Sequence, residues 1–205
     1  MKNSREEILG RVRAALTPLA NRAAYPEYAG DVAVMKQLFA DGRDLWPLFS
    51  ERLTAVNGIA LEHPDALVAW LRERGHVHGY CDPALWPKLA PHFDVGFNVE
   101  TTYDRTRVDD YAFGITRAAG AIAETGTVIL QDAGTSRRLG ALTPWVHIAL
   151  FPRDKLFATI PDALAELGSD PNTVWVTGPS KTADVEGILI EGVHGPGAQI
   201  ALLLS

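Results

Sequence analysis

Between residues 58 and 99, short apolar runs alternate with amphipathic stretches of about ten residues. The run 58–61 is followed by a helical stretch over 64–74 that carries Leu67, Val68, Trp70 and Leu71. A strand-like run at 77–81 precedes a helix over 83–90, and 93–99 reads as a strand again. Strands joined through helices predict βαβ units and a mainly parallel sheet. Further strands are expected at 114–116, 127–130, 147–151, 173–177 and 199–203, with helices near 136–142, 161–167 and 183–190. Ahead of this core, Ser4 and Glu7 form a capping box before the stripe Ile8, Val12, Leu16. A second helix is expected from Asp31 (Val32, Met35, Leu38, Phe39) and a third from Trp46-Pro47 to about Val56. The reading is an α/β protein with a helical N-terminal extension over 1–55 and an α/β domain over 56–205.

One cysteine, Cys81, stands in the 205 residues. Intramolecular disulfides are therefore impossible. An iron–sulfur cluster needs about four thiolates and structural zinc needs several close ligands, so neither pattern is present. His76 and His78 alternate on a strand at a chelating spacing but have no evident third ligand. The chain opens on a charged helix and has no signal peptide pattern and no apolar run of the ~20 residues that span a membrane, so a cytoplasmic protein is expected. A formal net charge of −6 argues against a dedicated nucleic-acid protein. Arg105 with Arg107, or Arg137 with Arg138, is the most that could form a local basic patch.

Dinucleotide, zincin and nucleophile-elbow signatures are absent. Gly178-Pro179-Ser180-Lys181-Thr182 ends like a phosphate loop, but its glycine sits too close to the lysine. Three segments remain beside strands. Glu124-Thr125-Gly126-Thr127 places a carboxylate among hydroxyls at a strand mouth, with Glu124 as a candidate catalytic group; the plainer reading is a turn with Glu124 in solvent. Gly178, Ser180, Lys181 and Thr182 lie between a strand and an expected helix, a geometry that aims backbone N–H groups at an anion; the plainer reading is a helix cap and a surface lysine. Glu191-Gly192-Val193-His194-Gly195-Pro196-Gly197 offers His194 as an acid or base near neutral pH, or as a structural turn histidine. His147, inside an apolar run, reads as a hydrogen-bonded core histidine.

Four motifs in order, Gly120–Thr127, Val146–Leu150, Thr177–Glu186 and Gly192–Pro196, resemble the LUD-domain family, nearest its lactate utilization C type. The resemblance covers residues ~110–205. It implies a three-layer α/β/α sandwich similar to the CoA-transferase and sugar-phosphate isomerase superfamily. It also implies a subunit of a system that oxidises L-lactate to pyruvate, beside two cysteine-rich iron–sulfur proteins. Lactate oxidation releases two electrons that no side chain here accepts, so the clusters belong in those partners and no cofactor is expected in this chain. The resemblance carries no catalytic residue over, so the roles of Glu124 and His194, and of Thr125, Gly126, Thr127, Gly178, Ser180, Lys181 and Thr182 toward a small anionic ligand, rest on position. The other readings are a stand-alone CoA-transferase-like or isomerase-like enzyme, with Glu124 as nucleophile or base, and a ligand-binding module without chemistry.

Overall fold

The computed structural model describes residues 4–17, 24, 27, 44–132, 138–168, 170, 172–183 and 188–204. The helix expected from Asp31 lies outside the described residues. The chain divides into two compact units, Met1–Val34 and Met35–Ser205. In the first, α1 (Ser4–Leu16) has Glu6 and Glu7 in its first turn and Arg13 in its last, charges that complement the helix dipole. Ile8, Val12 and Leu16 form the expected stripe and are exposed.

The second unit is built on a parallel six-stranded sheet. Its strands are β1 (Ile59–Leu61), β2 (His78–Cys81), β3 (Asn98–Glu100), β4 (Phe113–Arg117), β7 (Val146–Pro152) and β12 (Ala198–Leu204), in the order β1-β12-β7-β4-β2-β3. Register lines up Ile59, Ile200, Ile148, Ile115 and Cys81 in one row across five strands. Side chains alternate between faces along a strand. The row and its neighbours Phe113, Leu150 and Leu202 therefore share the first face, where Leu67, Leu71, Leu85 and Leu89 cover them. Those leucines come from α3 (Pro64–Glu73), α4 (Trp86–Leu89) and the turn before it. Proline in the first turn starts α3, as it does α2 (Trp46–Ala55), because the missing N–H is not needed there.

The second face carries Ala149, Phe151, Ala201 and Leu203, packed against Trp46, Phe49 and Leu53 of α2 and against Ala121, Ala123 and Val128. Ala121 and Val128 belong to a four-stranded sheet ordered β8-β5-β6-β9, from β5 (Gly120–Ile122), β6 (Thr127–Gln131), β8 (Leu156–Phe157) and β9 (Thr173–Val176), and Ala123 directly follows β5. The outer layer on this face is thus a helix beside a small sheet. Phe49 and Phe151 meet edge to face at 5.5 Å between ring centres. The remaining helices are α5 (Arg138–Leu142) and α6 (Ile160–Glu166).

Two expectations are corrected. Residues 93–97 form no strand; the Asp94 side chain accepts the Gly96 N–H and turns the backbone before β3. Among the described residues of the helix expected over 183–190, none is helical. β10 (Lys181–Ala183) pairs antiparallel with β11 (Leu189–Glu191), setting Thr182 opposite Ile190, and residues 184–187 lie outside the described set. β-branched residues at the paired positions favour the hairpin.

Candidate functional site

The start of β7 and β12 carries a buried polar ladder on the second face. Gln199 donates its amide N–H to the Ile200 carbonyl, which leaves Oε1 facing His147 Nδ1 at 2.7 Å. An amide oxygen only accepts, so Nδ1 carries the proton and Nε2 accepts from the Thr116 hydroxyl at 2.8 Å. His147 is a fully satisfied imidazole that is 1 % exposed. Burial pushes its pKa down to about 4 and the Gln199 hydrogen bond opposes this, so the ring is neutral near pH 7. Opposite His147 in register stands Gly114. A Cβ there would lie 1.8 Å from the Gly140 carbonyl of α5, so the glycine lets that helix close over the ladder.

A cleft of about 260 Å³ opens above His147 and Gln199, lined also by Thr177, Ser180, His194 and Pro196. The loops 178–180 and 192–196 are tied together: Ser180 N–H donates to the Pro196 carbonyl at 2.9 Å, and Gly192 N–H donates to the Ser180 carbonyl at 2.9 Å. Trp145 lies against the backbone at Gly192 and Gly197 and supports the second loop. Two of the sequence segments are thereby brought to one place. His194 is exposed on the rim.

The other sequence-chosen residues sit elsewhere. Lys181 leaves the cleft wall: its Nζ donates to the Val56 carbonyl at 2.9 Å and pairs with Glu191 at 3.4 Å. With a strand where a helix was expected, residues 178–182 offer no helix N-terminus to an anion. Thr182 is held in the hairpin. Glu124 Oε1 accepts the Ile160 N–H at 2.6 Å, at the first residue of α6. Thr125 bonds Thr127, and Thr127 bonds Thr177, each at 2.7 Å between hydroxyl oxygens. These bonds connect the first segment to the edge of the cleft through Thr177. Gly126, at φ +65°, docks its turn on α2: a Cβ there would lie 2.3 Å from the Leu53 nitrogen. Among the described residues that line the cleft, none is an acid, a lysine or an arginine. Its chemistry is that of neutral donors and acceptors.

A pair that sequence reading missed lies at the other end of the sheet. Asp82 follows β2 and Arg117 ends β4; Arg117 Nε donates to Asp82 Oδ2 at 3.0 Å, and Ala84 N–H donates to Oδ1 at 2.8 Å. The available signal was positional: an acid and a base directly after apolar strands, at their carboxyl ends. His78, also singled out, bonds Glu100 at 3.0 Å, and Arg107 and Tyr111 bind the same carboxylate. Among the described residues no group of three or more His, Cys, Asp or Glu could hold a metal ion. Cys81 is buried in the first-face core and burial pushes its thiol up to about 12.

The family model of the LUD domain matches residues 87–204. Lactate utilization protein C of Deinococcus radiodurans is 32% identical over 145 residues, covering 67% of this chain and 66% of that protein. Lactate utilization protein C of Shouchella clausii is 36% identical over 138 residues, covering 64% of this chain and 58% of that protein. The chain thus spans less than two thirds of the length of these relatives, 66% of one and 58% of the other. A crystal structure of a DUF162 family protein from Deinococcus radiodurans shares the fold, with a TM-score of 0.59 at 24% identity over 78% of this chain and 96% of that one.

Proposed function

This chain belongs to the LUD-domain family, and we propose that it serves lactate utilization as a non-redox subunit of a system that oxidises L-lactate to pyruvate, working in the cytoplasm. Relatives named lactate utilization protein C support the process. The state of Cys81 carries the subunit assignment. Lactate gives up two electrons and two protons on becoming pyruvate, and an acceptor must take the electrons. The chain's one thiol is fully buried and strongly disfavours the thiolate, so its own residues do not fit an iron–sulfur cluster. The clusters are assigned to two cysteine-rich partner proteins. Among the described residues no helix is long and apolar enough to cross a membrane. The parallel sheet covered on both faces is compatible with a sandwich of the CoA-transferase and sugar-phosphate isomerase type, which we include in the proposal. The stand-alone enzyme reading gains no specific support, because the Glu124 carboxylate it would use is engaged by the Ile160 N–H.

The test is an anaerobic pull-down of the tagged chain from its native cells, scored for co-purified iron and for lactate-dependent dye reduction. Iron–sulfur proteins that co-purify, with activity lost when this chain is removed, are the expected result. A colourless preparation, together with unimpaired lactate oxidation in cells lacking the chain, overturns the assignment.

A further inference from the structure

The His147 cleft lies between the two sheets. Leu130 and Val176 reach it from the small sheet. They share the face of Val128, which packs toward the parallel sheet, because register partners and alternate residues lie on one side. The parallel sheet supplies His147 and Gln199, and α5 supplies Leu142. A charge entering this space meets no opposite charge among the described lining residues. The buried imidazole is committed at both nitrogens, Nδ1 to Gln199 and Nε2 to Thr116, and burial keeps it neutral. An ion would therefore leave water without gaining a partner. Two polar groups remain open. No hydrogen bond or ion pair engages the half-buried Ser180 hydroxyl or the His194 ring on the rim. They lie on the two tied loops, and the Ser180 side chain packs close to Gly195, the residue after His194. A hydroxyl and an imidazole can each donate and accept, so the pair matches a head group that does both.

We infer that the His147 cleft binds a small uncharged carboxamide, with its apolar body among Leu130, Val176 and Leu142 and its amide at Ser180 and His194. An amide presents a donor and an acceptor side by side and carries no charge to desolvate. L-Lactate is an anion with one methyl group and lacks both features, so it is not the ligand of this cleft. The lactate role can fail without affecting this assignment, because binding is read on the isolated chain.

The experiment is an NMR titration of the full chain with benzamide, benzoate, benzamidine, acetamide and L-lactate at about pH 8, where benzoate is an anion and benzamidine a cation. Binding is read at the ring C–H signal of His194, assigned by its loss in His194→Asn. A second pocket, of about 320 Å³, opens beside Arg117, Pro152 and Leu204 at the other end of β7 and β12. Reading at His194 keeps binding there out of the result. Benzamide is expected to bind at least about tenfold more tightly than benzoate or benzamidine, its charged isosteres. Acetamide, the head without the body, is expected to be about tenfold weaker than benzamide. L-Lactate is expected to leave the His194 signal in place. Ser180→Ala should weaken benzamide about fivefold. Leu142→Lys, at a position 40 % exposed, adds a cation to the wall and should place benzoate above benzamide. Benzoate or benzamidine binding as tightly as benzamide, acetamide matching benzamide, a shift with L-lactate, or no shift with benzamide at about 10 mM each overturns the inference. So does an unchanged affinity in folded Ser180→Ala or an unchanged order in folded Leu142→Lys. The ligand comparisons use the unaltered protein, so they decide the matter even if a variant does not fold.

Discussion

The two faces of the parallel sheet are built from the same strands on different rules. On the first face the inward residues of the central strands are apolar up to Arg117 at the end of β4, and aligned isoleucines give a dry core under α3 and α4. On the second face the same strands carry Thr116 near the end of β4 and His147 and Gln199 near the starts of β7 and β12, joined by hydrogen bonds and roofed by α5. The first face is held by volume and the second, at that end, by satisfaction of polar groups. A dry core tolerates shape-preserving exchange, whereas a buried ladder loses heavily if any one member is removed. The contrast also locates the clefts: one opens above the ladder, the other where Arg117 interrupts the apolar face.

The largest expected effect is on the dry side. Phe113→Ala removes a fully buried ring that stacks with Phe93 and should cost about 3–5 kcal/mol in urea unfolding. A loss below that of the ladder variant described next would break the contrast.

On the polar side, acid should act through His147. Above the unfolded value of 6.5 neither state binds the proton, so this group gives no pH dependence. Between 6.5 and about 4 the unfolded chain alone is protonated, and stability falls with pH by on the order of 3 kcal/mol. Below that both states are protonated and the slope ends. His147→Gln should flatten this window in denaturation series run from pH 7 to 4; an unchanged slope would assign the acid sensitivity elsewhere.

Thr116→Val keeps the shape and removes the donor to His147 Nε2, and should cost about 1–3 kcal/mol. Crystal or NMR evidence of a water or a rotated imidazole taking over that bond, with no loss of stability, would show the ladder to be adaptable rather than fixed. Smallest of all, Arg153→Ala removes exposed pairs to Asp44 at 2.6 Å and Glu62 at 3.3 Å and should change stability by less than about 1 kcal/mol. A larger loss would mean that surface charge matters here as much as either face.

The dry face was readable in advance because its signals are local. The strands of the sheet show as apolar runs, and α2 and α3 show as prolines followed by apolar residues at helical spacing. The small sheet was harder to read. β5 is only Gly120, Ala121 and Ile122, and its strand character comes from pairing with β6 and β8. The β10–β11 hairpin was misread as a helix because nothing within 183–190 reveals that Lys181 lies opposite Glu191. His147 was legible as a satisfied core residue. Its partners were not, since Thr116 and Gln199 lie 31 and 52 residues away and meet it only through strand register. Asp82 and Arg117 are likewise 35 residues apart and meet only through the strand order.

The placement of β12 between β1 and β7 also bears on how the protein is made. A ribosome delivers β1 first and Ala198–Leu204 more than a hundred residues later, so one internal rung of the sheet arrives after its neighbours on both sides. Until it does, β1 and β7 expose unpaired apolar edges, the kind that invite other chains. Closing such distant pairings is slow. Between the delivery of β7 and that of β12 the nascent protein is therefore a sheet with a gap, the interval in which a chaperone matters most.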